Sequence, residues 1–329
     1  MILKTDPTST ETTPAISRAA AILRGGGLVA FPTETVYGLG AMATDARAVA
    51  RIFEAKDRPH FDPLIIHIGS ADWLDRYVAS VSPEAERLAK RFWPGPLTLV
   101  LPKRDNIPDI VTSGLPTVAV RVPAHPVARA LIQATGAPLA APSANRFGQL
   151  SPTAAQAVAE EIGQRVDLIL DGGPTQLGIE STIVAFGDAG PRMLRPGPVT
   201  LEELCECLGR EVAVTTGPSA TPESPGMLLR HYAPRTRLRI ADPSAAAVAI
   251  QGRRVGLLAF RAAPASRGFA AVETLSASGD LREAAANLFA ALRRLDAAGV
   301  DEIIAEPIPE TGLGRAIMDR LRKAAAPRA

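Results

Sequence analysis

Through the first two hundred residues, short apolar runs alternate with segments in which apolar side chains recur every three or four positions, the rhythm of an α/β chain. LVAF at 28–31, PLIIHI at 63–68, LTLVL at 97–101, TVAVRV at 117–122 and DLILD at 167–171 predict buried strands. PAISRAAAILR at 14–24 predicts a helix stopped by Gly25, Gly26 and Gly27. A second helix is expected over 44–55 with Thr44 or Asp45 as its cap, and others over 82–92, 126–134, 153–162 and 200–208. From 209 to 236 the pattern lapses, because Pro218, Pro222, Pro225 and Pro234, with Gly217 and Gly226, interrupt every period. So long a stretch without helix marks a domain boundary or a functional loop. Beyond it RVGLLAF at 254–260 and DEIIAE at 301–306 predict strands, and Leu281, Ala285, Leu288, Leu292 and Leu295 share one helix face between them. The expected organisation is an α/β domain at 1–208, a linker at 209–236 and a smaller α/β domain at 237–329, with no internal repeat.

Composition narrows the function classes. A chain of 329 residues can bury about three-quarters of its unfolded surface and needs no disulfide or metal staple. With 47% hydrophobic and 21% charged residues it is not a disordered chain, and a net charge of +2 carries no bulk footprint for nucleic acid, so any RNA contact must be local. Cys205 and Cys207 are too close in sequence to bridge each other well, and His60, His67, His125 and His231 show no metal-ligand spacing, so no metal site is expected. Neither a signal peptide in MILKTDPTSTETTP nor a run of ~18 apolar residues is present, which points to the cytoplasm and away from the membrane.

Polar groups then stand out against this apolar background. FPTETVYGLG at 31–40 crowds Thr33, Glu34, Thr35 and Tyr37 at the C-terminal end of the first strand, where open α/β sheets bind ligands. Gly38, Gly40 and Ala43 fit a loose GxGxxA pattern, but a dinucleotide turn would have its glycines directly after the strand. A strand-to-helix turn with locally satisfied hydroxyls is the plainer alternative. Lys56 and Arg58, in a Pro-stiffened loop, suit a polyanion as a mobile point charge and a fixed fork, but on their own residues a solvated helix C-terminus is the preferred reading. His67 is on its own terms a core histidine. Arg121, inside an apolar strand, must have an anion, either a structural carboxylate or a substrate's. APSANRFGQLSPT at 141–153, GIESTIV at 178–184 and MLRPG at 193–197 add hydroxyls, amides and Arg195 beside strands, as ligand loops or as helix caps. No Walker A sequence occurs.

In this order, FPTETVYGLG, KDRP with PLIIHI, RFWPGPLTLVL, VAVRVPAHP, APSANRFGQLSPT, GIESTIV, MLRPG, SPGMLLRHYAP and GLGRAIMDRLRKAA resemble the threonylcarbamoyl-AMP synthase family, the YrdC-like domain in its longer two-domain form. The resemblance implies a YrdC-like twisted mixed sheet with a concave basic cleft, a linker, and a smaller Rossmann-like α/β second domain. It implies a nucleotidyltransferase that turns ATP, L-threonine and bicarbonate into threonylcarbamoyl-AMP and pyrophosphate, for the threonylcarbamoyladenosine modification of tRNA. By the same likeness Lys56, Arg58, Ser143 and Asn145 mark the nucleotide site, with Ser151, Arg195 and Tyr232, and also Thr117 and Asp62, contacting ATP. Thr35, His67, Arg121, the backbone at Ala141, and Ser181 are to hold threonine; Lys56, Arg58 and His67 are the catalytic candidates. Magnesium is expected with the triphosphate, and the downstream partner is the tRNA threonylcarbamoyl transferase machinery, with a weak tRNA contact as a further prospect. The chain departs from the family where Leu228 and Leu229 replace a basic and an aromatic residue, and where Asp62 would repel a triphosphate unless magnesium intervenes.

The chemistry asks for alignment and charge cancellation more than for a covalent nucleophile, since every reacting partner is anionic. Arg121 is then paired bidentately with the threonine carboxylate, and the linker with Tyr232 becomes a lid over a labile product. Two other readings compete: a double-stranded RNA or tRNA-binding module without catalysis, and a different carbamoyl- or acyl-adenylate former.

Overall fold

The computed structural model describes residues 1–215, 223–226, 231–242, 252–262 and 268–327. Gly217, Pro218, Pro222, Leu228 and Leu229 of the expected linker lie outside the described residues.

The first helices form where the sequence puts a cap before an apolar stripe. Thr13 accepts from the Ile16 N–H to start α1 (Pro14–Arg24), and Asp45 accepts from Arg47 and Ala48 to start α2 (Ala46–Lys56). Asp57, left-handed at φ 53°, ends α2 and turns the chain sharply, which swings Lys56 and Arg58 inward and away from solvent. α3 (Pro83–Phe92), α4 (Asp109–Thr112), α5 (Pro126–Thr135), α6 (Ala155–Ile162) and α7 (Leu201–Leu208) complete the helices of this region.

Eleven strands make one mixed sheet: β1 (Ile2–Lys4), β2 (Val29–Phe31), β3 (Gly38–Met42), β4 (Ile65–His67), β5 (Leu97–Pro102), β6 (Thr117–Arg121), β7 (Leu139–Ala140), β8 (Leu168–Asp171), β9 (Thr182–Gly187), β10 (Gly190–Arg195) and β11 (Ala213–Val214). They lie in the order β1-β8-β2-β3-β7-β4-β6-β5-β9-β10-β11. Alternate residues face opposite layers: Leu28 and Ala30 pack with Ile52 and Phe53 of α2, while Val29 and Phe31 pack with residues of α1 and α5. Apolar packing on both faces explains why these strands read as continuous apolar runs.

The segment after β2 corrects the strand-to-helix expectation. Residues 38–42 are a strand, antiparallel to β2, with Phe31 opposite Gly38 and Val29 opposite Gly40. A Cβ at Gly40 would stand 2.7 Å from the Phe31 ring, so this glycine is needed for the ring to lie across β3. Apolar periodicity does not register a GLGAM strand, because its glycines carry no side chain to count.

The second domain is a four-stranded parallel sheet of β12 (Arg237–Ile240), β13 (Val255–Ala259), β14 (Ala271–Thr274) and β15 (Glu302–Ala305), in the order β12-β15-β13-β14. Among the described residues two long helices accompany it, α8 (Leu281–Ala297), capped by Asp280, and α9 (Leu313–Ala325). Its apolar core takes in Val36, Leu150 and Ile179 from the first domain, together with Tyr232. The two domains are therefore packed through a shared apolar cluster beside the polar loops. Among the described residues no helix is long and apolar enough to cross a membrane.

Candidate active site

Parallel pairing of β4 and β6 sets His67 beside Arg121 in register, and both side chains enter a cavity at the centre of the sheet. Arg121 faces three groups. Its Nη1 donates to Thr35 Oγ1 (2.9 Å), its Nε to the Gly95 carbonyl (3.1 Å), and its Nη2 lies 2.7 Å from Glu34 Oε1. The anion that an arginine in an apolar strand demanded is therefore, in this structure, a structural carboxylate. The loop that supplies it is tied by its own hydroxyls: Thr33 Oγ1 meets Thr35 Oγ1 at 2.8 Å and donates to the Val36 carbonyl at 2.7 Å. His67 Nδ1 is buried without a partner, and burial next to Arg121 pushes the imidazole down to about 3, so it is neutral.

A second wall begins at the end of α2. Lys56 is 1% exposed, which removes the solvated-terminus reading. Its Nζ donates to the carbonyls of Ser143 and Asn145, each at 2.5 Å, and so clamps the 143–145 loop from below. Burial, with Arg58 beside it, pushes the ammonium down to about 7. Arg58 donates to the carbonyls of Asp62 (3.1 Å) and Pro63 (2.9 Å), stands 2.9 Å from Asp62 Oδ2, and lies over the Phe147 ring. Burial raises the Asp62 carboxyl while Arg58 opposes the rise. Asn145 donates to the carbonyls of Arg146 and Gln149, which leaves its Oδ1 buried and unpaired.

The third wall comes from β9 and β10. Arg195 donates through Nε to the Ser181 carbonyl (3.0 Å) and through Nη2 to Ser181 Oγ (3.1 Å), and Ser181 Oγ is also 2.7 Å from Thr98 Oγ1. Ser151 donates to Glu180, whose other oxygen is held at 2.8 Å by Arg320 of α9. The roof is the chain between the domains: Pro225, Gly226, His231 and Tyr232 line the cavity, and the Pro225 carbonyl accepts from Arg195 at 3.3 Å. Tyr232 adopts φ 60° and is buried between His231 and Phe289, which pushes its phenol up to about 12. With this roof in place the cavity is about 50 Å³, room for a few waters. A nucleotide needs several times more, on the scale of ~300 Å³ or above for ligand pockets.

Of the residues singled out from sequence, Thr35, Arg58, His67, Arg121, Ala141, Ser143, Ser181, Arg195 and Tyr232 line this one cavity. Lys56, Asp62, Asn145 and Ser151 stand behind it and brace the lining. Thr117 begins β6, half-buried and outside the lining. Sequence reasoning passed over Glu180, His231 and Arg320. Glu180 carries the same signal as Arg121, a charge among apolar neighbours in GIESTIV; Arg320 carries none, since α9 has several arginines and only packing buries one.

The fold and cleft together define a two-domain α/β protein with a cation-walled, hydroxyl-rich pocket roofed by its own interdomain chain. Residues 21–197 match the Sua5/YciO/YrdC family model, described as telomere recombination, and 199–326 match the threonylcarbamoyl-AMP synthase C-terminal domain. The chain belongs to the Sua5/YciO/YrdC family, with the threonylcarbamoyl-AMP synthase C-terminal domain appended. It is 47% identical to a threonylcarbamoyl-AMP synthase of Pyrococcus abyssi, over 93% of this chain and 92% of that one. It is 46% identical to the Bacillus subtilis protein of the same name, over 98% and 96%. The P. abyssi Sua5 structure complexed with L-threonine superposes with a TM-score of 0.90 at 45% identity, covering 99% of this chain and 97% of that one.

Proposed function

We propose that this chain makes threonylcarbamoyl-AMP for tRNA modification, acting as a nucleotidyltransferase on ATP, L-threonine and bicarbonate. The observation that carries the reading is the pairing of two half-sites in one cavity. Thr35, His67, Arg121 and Ser181 gather on one side the hydroxyls and guanidinium that an amino acid would engage once the roof opens, and Arg58, Ser143 and Arg195 form a cationic wall suited to phosphates.

In this reading threonine enters by exchange. Its carboxylate takes the Arg121 fork from Glu34, so the guanidinium is never without an anion. His67, held neutral by burial, offers a hydrogen bond and is too weak a base to deprotonate an ammonium. It is therefore a positioning group for the amine or carbamate, and a general-base role is not assigned to it. The carbamate formed from the amine and bicarbonate is aligned so that its oxygen attacks the α-phosphorus as pyrophosphate leaves, with Arg58, Arg195 and Lys56 cancelling the charge that accumulates. The interdomain chain carrying Tyr232 opens to admit ATP and closes over the labile product.

The donor set does not fit a resident magnesium site. Asp62 is held by Arg58, Glu180 by Arg320, and among the described residues no three His, Cys, Asp or Glu side chains converge. Magnesium accompanies the triphosphate in this reading, and no step is assigned to it. The RNA-binding alternative finds no support in the cleft, because Lys56, Arg58, Arg121 and Arg195 are 1% to 6% exposed and present no solvent-facing stripe to a duplex.

Pyrophosphate release measured with ATP alone, and then with threonine or bicarbonate omitted in turn, tests the reading. Release must require both. Release independent of threonine overturns it.

A further inference from the structure

The second domain touches the lining of the cleft through Arg320. Arg320, on α9, is 1% exposed, and its Nε donates to Glu180 Oε2 at 2.8 Å across 140 residues of sequence. Its Nη1 donates to the Pro196 carbonyl and to Asp319 Oδ2, both at 2.8 Å, and its guanidinium carbon lies 5.0 Å from the centre of the Tyr232 ring. Glu180 is the acidic member of the cavity lining, and its second oxygen accepts from Ser151. An uncompensated carboxylate on that wall would face whatever anion the cavity takes, in a low-dielectric setting where like charges repel strongly.

We infer that Arg320 is a positioning residue for the nucleotide half of the cleft: the second domain supplies the charge that cancels Glu180, fixes Ser151 through it, and backs the Tyr232 ring. The inference rests on the reading of the cleft as an ATP site. It gives the second domain a part in the catalytic unit, beyond anchoring the interdomain chain. Helix α9 cannot shift relative to β9 without exposing a buried acid to the phosphate wall.

The experiment is steady-state pyrophosphate release by the full-length chain as wild type, Arg320→Met, Glu180→Gln and the double variant, with ATP and threonine varied separately. Arg320→Met is expected to raise KM for ATP about tenfold or more while KM for threonine stays within about twofold. Adding Glu180→Gln to it is expected to recover most of the loss, because the carboxylate that repels phosphate is gone. Glu180→Gln alone leaves Arg320 an uncancelled cation beside the phosphate wall, so it is expected to lower KM for ATP severalfold, and this arm stands even if Arg320→Met does not fold. The inference is overturned if Glu180→Gln alone leaves KM for ATP unchanged or raises it, or if the double variant is as impaired as a folded Arg320→Met, which would make Arg320 merely an interdomain tie. A wild-type chain without threonine-dependent release would instead sink the reading of the cleft itself.

Discussion

Arg121 and Glu34 meet as a buried ion pair, 2.7 Å apart, with side chains 4% and 6% exposed, in the pocket proposed for threonine. Truncating one partner strands the other in a low dielectric, which costs about 3–5 kcal/mol. Arg121→Met is therefore expected to lower unfolding stability by that order and to abolish threonine binding in calorimetry. Glu34→Gln keeps the fork, so it should retain threonine binding. Equal loss of binding in both variants would contradict the exchange.

Lys56 provides a proton-linked signature. Burial pushes its ammonium from 10.5 down to about 7, so across that interval the unfolded chain holds a proton that the folded chain has released, and stability rises with pH. A phosphate brought near the amine reverses the preference. Binding of ATP at about pH 8 should take up nearly one proton, measured by calorimetry in buffers of differing ionisation enthalpy, and Lys56→Met should remove the uptake.

His67 acts in the opposite pH range. Its imidazole is pushed from 6.5 down to about 3, so the unfolded chain gains a proton there first as the solution is acidified. The stability it contributes is complete above 6.5 and is lost as pH falls, by about 2 kcal/mol on reaching pH 5. His125 and His231 are depressed by burial as well, so His67→Gln should remove only part of the acid sensitivity seen in denaturant melts. A melt series whose pH slope is unchanged by His67→Gln would argue against a buried neutral imidazole.

Gly226 tests the roof. It sits at φ +82°, and a Cβ there would stand 2.6 Å from the Tyr232 hydroxyl and 3.3 Å from Arg195. Gly226→Ala strains the closed arrangement alone, by about 1–2 kcal/mol. If ATP must displace this segment, its association in stopped-flow mixing should quicken severalfold in the variant. Unchanged or slower association would mean that the roof does not stand in the path of the nucleotide.

Much of the frame was legible because local signals agree with the fold. The Thr13 and Asp45 caps, the glycines after Arg24 and the apolar runs of β2, β4, β5, β6 and β8 mark elements within a residue or two of where they lie. Strands such as β3 and β7 escaped notice, because two glycines hide the first and the second is only Leu139–Ala140. The site was legible in kind: a guanidinium in an apolar strand announces an anion, and a Lys-x-Arg loop announces phosphate or solvent.

What the amino-acid order determined by itself was the alternation of strand and helix and the set of polar groups too costly to bury without purpose. Tertiary structure alone decided which partner each received. Glu34 and not solvent meets Arg121, and the 143–145 carbonyls meet Lys56. An arginine 140 residues away neutralises Glu180. The reason is physical: element formation rests on neighbours a few residues apart, whereas the pairing of buried charges depends on which distant segments the packed core brings within about 3 Å.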